Sequence, residues 1–238
     1  MPRMLRLAVI LVAMATPAIA QVGYDPHNSP YRDLRETQEL TAFTGFYNAK
    51  KDPAGVAPQS GPLFGFLYQW RPGGPANLNA SITRLASQRR ILDPDVSANC
   101  PTAATEDCKL IGTFRWPVYF LDAGLAIALT GARSFYSFVP EVKLGAGAVT
   151  DFHTKADVGE FTFGTRFAFN WGAGIRWIAS GPLQLRADFT NHLYSIKYPG
   201  TYYLPAADNS VIFTKKQSQT AWLNNPGFTI GFSYLFSR

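Results

Sequence analysis

The chain is poor in charge and has no long apolar run outside its first residues. Only 16% of its 238 residues are charged, although 14% are aromatic. Beyond residue 20 no stretch of eighteen apolar residues occurs, which excludes a membrane-spanning helix. A chain rich in apolar and aromatic residues but lacking such helices is expected to place them on strands. Cysteine is scarce as well. Cys100 and Cys108 are the only two, eight positions apart in a Pro/Thr/Ala/Asp segment. In an oxidising compartment they are expected to pair as a loop staple. No His lies near them, and two thiolates alone do not complete a tetrahedral zinc site, so neither a metal nor another cofactor is expected.

The first twenty residues read as a secretory signal peptide. Arg3 and Arg6 supply the positive start, Leu7 to Met14 the apolar core, and Ala18-Ile19-Ala20 the small-x-small pattern before Gln21. No Cys follows that site, which argues against a lipid-anchored lipoprotein. Removing both arginines lowers the net charge from +6 to +4. The remaining basic residues cluster no further than Lys50-Lys51, Arg89-Arg90 and Lys215-Lys216, so export and charge together exclude a nucleic-acid partner. Residues 21–38, with Pro26, Pro30 and several charges, are expected to form a lead-in to a single domain over 39–238.

Period-two alternation bounded by turn residues marks eight strand segments, at 39–48, 62–70, 76–86, 114–129, 135–149, 163–177, 182–194 and 222–236. The sixth is the clearest. Its odd positions include Phe163, Phe167, Phe169, Trp171, Ile175 and Trp177, whereas its even ones include Gly164, Arg166, Asn170, Gly172, Gly174 and Arg176. A helix would mix these faces. Gap lengths alternate too: 71–75, 130–134 and 179–182 are tight, whereas 49–61, 87–113, 150–162 and 195–221 are long. Pro117 and Pro140 conflict with unbroken strands, so either the spans begin after them or bulges sit there.

The last segment carries a resemblance. Thr229, Gly231, Tyr234 and Phe236 are spaced like the assembly signal of outer-membrane barrels, with Ser237 and Arg238 beyond the usual terminal aromatic. With the alternating gaps, residues 39–238 resemble the small eight-stranded outer-membrane proteins of the OmpA and OmpX kind. The resemblance implies an all-β, antiparallel up-and-down transmembrane barrel with long outer loops, located in a bacterial outer membrane. It also implies recognition by the barrel-assembly machinery, contact with outer-membrane lipids and lipopolysaccharide, and a monomer.

Alternation does not say which face points outward, and a soluble lipocalin-like binding barrel would reverse the two. Glycines and charges on the polar face suit a narrow lumen, while rows of Phe, Trp and Leu would overfill one. Trp70, Trp177 and Phe236 fall where an interfacial girdle belongs. Counting from the short turns places Asp122, Glu141 and Asp188 near Lys143, Arg176 and Arg186, with Glu39 and Arg166 adding one charge of each sign. These eight are expected to pair and close the lumen; a narrow channel is the alternative.

A lipid-modifying outer-membrane enzyme, an acyl hydrolase or transferase, is a further reading, because His192 and Ser195 lie near the outer end of the seventh segment. Their spacing of three puts them on opposite faces, whereas lipid A deacylases place His and Ser two apart on one face. His27 and His153 have no clustered acid and nucleophile in sequence, so no catalytic residue is assigned and the expectation is a non-enzymatic structural or surface-binding barrel. Lys50, Lys51, Arg89 and Arg90 in the long loops are candidate contacts for lipopolysaccharide phosphates.

Overall fold

The computed structural model describes residues 29–96, 108–214 and 216–236. The expected signal peptide, His27 and Cys100, and with Cys100 its expected pairing to Cys108, lie outside the described residues.

Eight strands form one closed antiparallel barrel: β2 (Gln38–Tyr47), β3 (Gly61–Gly73), β4 (Ala76–Leu85), β7 (Val118–Ala128), β9 (Phe138–Thr150), β10 (Thr165–Ser180), β11 (Leu183–Lys197) and β12 (Thr220–Phe236). Each pairs with the next, and β12 closes the ring against β2. The closing ladder includes Thr229–Gly45, Gly231–Phe43 and Tyr234–Leu40, so the expected assembly-signal residues lie in the seam between first and last barrel strands. Following paired residues from Gln38 through Trp70, Leu78, Leu125, Leu144, Trp171, Asn191 and Pro226 leads back to β2 at Asn48, whose N–H donates to the Pro226 carbonyl. The return lies ten residues beyond the start. In an eight-stranded ring that stagger tilts the strands by about 40°.

Both prolines fit without breaking the ring. β7 begins at Val118, immediately after Pro117. Pro140 accepts a bond from the Leu129 N–H, but the β7–β9 ladder ends one residue earlier, at Ala128–Glu141. The bond that Pro140 has no hydrogen to make falls past the last rung. Pro117 does divide the expected 114–129 strand: a hairpin of β5 (Gln88–Leu92) and β6 (Leu110–Arg115) stands above the β4–β7 pair as a separate two-stranded sheet.

The outward face is apolar. Phe66, Leu144, Phe167, Ile230 and Phe232 are more than half exposed, with Trp70 and Trp177 at the short-turn end and Trp222 at the other. A water-soluble monomer does not carry a continuous apolar belt on this scale, and a bilayer covers it. Inward positions carry the polar and charged side chains, such as Thr41, Gln69, Glu141, Asn170 and Arg186, with large apolar ones such as Leu63 and Phe120 among them, while the outward face is apolar, so the faces are not those of a soluble binding barrel and that reading is overturned.

At the short-turn end the lead-in becomes a strap. β1 (Tyr31–Asp33) pairs with β8 (Arg133–Phe135), which adjoins β9. In the ring, β9 lies four strands from β2 in either direction, so residues 34–37 cross the mouth to reach β2. Extended, that crossing covers about 16 Å, close to the diameter of eight tilted strands 4.8 Å apart. Arg71 at the end of β3 grips it: its Nη2 donates to the Leu34 carbonyl (2.6 Å) and the Glu36 carbonyl (2.5 Å), and its N–H to the Thr37 carbonyl (2.7 Å).

Candidate functional site: a lumen closed at both ends

Alternation puts every second residue of each strand into a space an eight-stranded ring leaves just wide enough for side chains. Above the strap, that space holds ions. Arg186 on β11 is the hub: Nη1 donates to Glu39 (2.8 Å) and Gln69 (2.9 Å), Nη2 to Glu141 (2.8 Å), and Nε to Asp188 (2.7 Å). Arg176 reaches the same two glutamates, at 3.1 Å to Glu39 and 2.8 Å to Glu141. Lys143 lies 2.6 Å from Asp188. Three cations thus meet three carboxylates, all nearly out of contact with solvent. In a low-dielectric enclosure such a set holds only if its charges are paired, and here the two arginines bridge the carboxylates, Arg186 reaching three of them through separate nitrogens and Arg176 two.

Gly174 makes room for this packing. A Cβ there would collide with Asp188 Oδ1, so the bare backbone lets the carboxylate lie against the wall between Arg186 and Lys143. Gln69, Thr41 and Ser233 complete the shell. Gln69 donates to Glu141 (3.0 Å), Thr41 donates to Glu39 (2.9 Å), and Thr41 and Ser233 share a bond of 2.7 Å. None of the three carries charge, and the search for charges in the sequence missed them.

Two of the eight expected lumen charges lie elsewhere. Asp122 is six residues up β7 from Ala128, the residue paired with Glu141, so it belongs one storey higher. There it accepts from Asn170 (2.9 Å) and lies 3.1 Å from His192 Nε2. Arg166 sits at the outer end of β10 and donates to the carbonyls of Phe163 and Thr162. Counting from the short turns misplaced Asp122 because the β7–β9 connection is lengthened by β8. His192 itself faces the lumen, 8% exposed, against Phe120 and Tyr47, rather than standing at the rim. Ser195 lies on the other face of β11. Around Asp122 and His192 is a cavity of about 70 Å³, lined by these polar groups and by Phe43, Leu63, Leu67 and Phe120, and bordered by Lys143 and Asp188. That volume holds a few waters.

The outer end is closed by different chemistry. The long loops fold over the barrel and share one core with it: Ala54, Val56, Leu92, Phe161, Phe163 and Phe213 pack onto Tyr47, Leu85, Val118, Phe120 and Tyr194 of the strands. Phe163, expected to begin the lipid-facing row of the sixth strand, is 1% exposed within this head, because β10 starts two residues later.

Polar groups tie the loops together. Asp52 accepts from the Ala57 N–H (2.8 Å), the Ala54 N–H (3.2 Å) and the Tyr198 hydroxyl (2.7 Å). Burial, and then the Asp52 carboxylate, push the Tyr198 hydroxyl well above the ordinary tyrosine range, which keeps it a donor. Arg89 is paired with Asp157 (3.0 Å), and its guanidinium lies over the rings of Trp116 (4.5 Å) and Phe161 (5.2 Å). Arg89 and Arg90 are 2% and 8% exposed, so the expectation that both reach out to lipopolysaccharide is corrected: Arg89 is a core residue of the head. His153 packs on Trp116 beside Asp151.

A closed, eight-stranded, lipid-facing antiparallel barrel with a side-chain-filled lumen defines the class of the small outer-membrane barrels. No protein-family model and no curated protein sequence matches the chain. Among solved structures it is similar to the outer membrane protein OprG from Pseudomonas aeruginosa (12% identity, 85% of this chain and 98% of that one, TM-score 0.45). Similar too are the E. coli outer membrane protein W (14%, 85% and 100%, 0.45) and Neisserial surface protein A (10%, 84% and 97%, 0.42).

Proposed function

We propose that this protein is an integral outer-membrane barrel, exported and inserted by the barrel-assembly machinery, whose lumen is a structural fill and whose folded head is the working surface. The single observation that carries the reading is the double closure: a balanced ionic cluster at one end and a packed head at the other. A conducting pore needs a continuous polar path, and here the cavity around Asp122 and His192, walled by apolar as well as polar side chains, lies between two plugs. The head, by contrast, is a rigid surface built on the barrel's own core, suited to contact with lipopolysaccharide or another surface molecule. The protein acts as a monomer without a cofactor, and it is not an enzyme.

The test has two arms. Outer-membrane fractions should contain the protein in a form whose gel mobility shifts on heating, and the purified protein in a planar bilayer should conduct at no more than a trace level. Recovery in the soluble periplasmic fraction, or steady ion conductance, would sink the proposal. A changed lipid A profile on deleting the protein would favour the acyl-modifying reading.

A further inference from the structure

The ribbon formed by β1 and β8 lies outside the eight-strand ring and is too small to stand alone. It has three rungs, Tyr31–Phe135, Arg32–Ser134 and Asp33–Arg133, and it joins β9 at one further pair, Phe135–Phe138. Two-stranded ribbons are marginal in water even when longer. One face carries what such a ribbon cannot bury by itself. Tyr31 and Phe135 lie side by side with ring centroids 5.2 Å apart, and Tyr136, in the turn before β9, sets its ring edge-on to Phe135 at 4.7 Å. Phe135 is 39% exposed and Tyr136 64%, while Ser134, on the opposite face, is buried.

Register says what covers that face. Directly paired residues of neighbouring strands point to the same side of a sheet, and Phe138 is paired with Trp177 on β10. Tyr31, Phe135, Phe138 and Trp177 therefore form one aromatic row across four strands, and the last two belong to the lipid-covered belt. The ribbon continues the belt beyond the ring. Its depth follows from the stagger: the path that climbs from Gln38 to Asn48 crosses β9 before β10, so the row descends from Trp177 towards the ribbon. With strands about 4.8 Å apart and tilted by about 40°, each step lowers the row by about 3 Å, which puts Phe135 about 6 Å beneath Trp177. That distance matches the depth of a headgroup layer, where aromatic residues are favoured. The exposed ion pair of Arg133 with Asp33 (2.9 Å) on the same face suits headgroups and water, and would be costly among acyl chains.

We infer that the β1–β8 ribbon is a membrane-docking surface whose partner is the glycerophospholipid of the leaflet at the short-turn end, with Tyr31, Phe135 and Tyr136 seated among its headgroups. The inference goes beyond the proposal for the head, and it rests on the part of that proposal that puts the barrel in a bilayer. It gives the strap a second anchor. Arg71 holds residues 34–37 from the ring, and the leaflet holds β1, from which they start.

The experiment places the full mature protein in phosphatidylcholine nanodiscs and follows its NMR signals with headgroup-nitroxide phosphatidylcholine, with a water-soluble gadolinium chelate, and with neither. The amide signals of Tyr31, Phe135 and Tyr136 should lose intensity to the lipid label at least as fully as the Trp177 indole does. Asn209, exposed in a loop of the head, should lose its signal to the chelate instead. The double variant Phe135→Glu/Tyr136→Glu should free Tyr31 from the lipid label while Trp177 keeps its loss and the heat-modifiable band persists; Phe135→Trp should retain the wild-type pattern. Ribbon residues that respond to the chelate as Asn209 does and ignore the lipid label, while Trp177 responds to it, overturn the docking alone. A double variant in which Tyr31 keeps its full loss overturns it as well. So does a loss that grows with the protein-to-lipid ratio and not with labelled lipid, which assigns the face to a second copy of the chain. If Trp177 also ignores the lipid label, the barrel is not in the bilayer, and the docking falls together with the barrel proposal.

Discussion

The two ends of the lumen solve one packing problem with opposite materials. Towards the short turns, six ionised side chains from four strands neutralise one another. Towards the long loops, aromatic and aliphatic groups from four connections and the strand tips form a dry core. The ionic end draws its side chains from a rigid ring, where register fixes each position and one guanidinium can bridge carboxylates from several strands. The outer end is built from irregular chain, which lacks that precision and gains stability from area instead. Charge is thus placed where the backbone can aim it, and apolar mass where it cannot.

If that contrast is right, damage to the ionic end should be severe and global. Arg186→Met strands three carboxylates around a lost hub, and removing one partner of a buried ion set costs about 3–5 kcal/mol. The urea midpoint of the variant in lipid vesicles should fall sharply, with loss of the heat-modifiable compact band. Adding Glu39→Gln and Glu141→Gln to Arg186→Met should recover part of that loss. An unshifted midpoint for Arg186→Met would break the comparison.

Damage to the head should be somewhat smaller and local. Phe213→Ala opens a void in the loop core at a cost of about 3 kcal/mol, and protease should then cut the loops of a barrel that still migrates as folded. Asp52→Asn weakens the bonds to Tyr198 and two amides by about 1–3 kcal/mol; hydrogen exchange at Ala54 and Ala57 should rise while the strand amides stay protected. At the opposite mouth, Arg71→Ala frees the Leu34 and Glu36 carbonyls, at a cost of about 1–2 kcal/mol, and protease should reach residues 34–37 without loss of the barrel.

The smallest effect concerns alkali. A tyrosine whose folded-state pKa is raised contributes stability fully present below the unfolded value near 10 and lost as pH rises through the folded one. Tyr198 should therefore ionise after the exposed tyrosines in an absorbance titration, and the head should hold at pH 10 and loosen above it. Early ionisation of every tyrosine would contradict the buried contact with Asp52.

Much of the ring was legible in sequence because alternation is a direct imprint of a wall with lipid on one side and packed polar groups on the other. The rows of β10 follow it residue by residue, and those of β11 depart from it at Asn191, which is buried against Asn224. The head was not legible. Gln88-Arg89-Arg90-Ile91-Leu92 has no alternation, so β5 read as loop, and Phe163 looked like the start of a lipid-facing row because a single apolar residue does not reveal what covers it. The ionic cluster was half-visible: the charges stood out, but their heights depend on the ten-residue stagger and on the extra length that β8 adds to one turn. Gln69 and His192 enter the site through neighbours contributed by distant strands, a relation that no local pattern carries.

The strap, the ionic cluster and the head stand in series, like the doors of an airlock. A fluctuation that loosens one leaves the next shut, and where openings are independent their probabilities multiply. If two closures each cost about 4 kcal/mol to open, each stands open about one part in a thousand of the time, and both together about one in a million. A barrel built in this way can be present in many copies without making the membrane around it leaky to small toxic molecules.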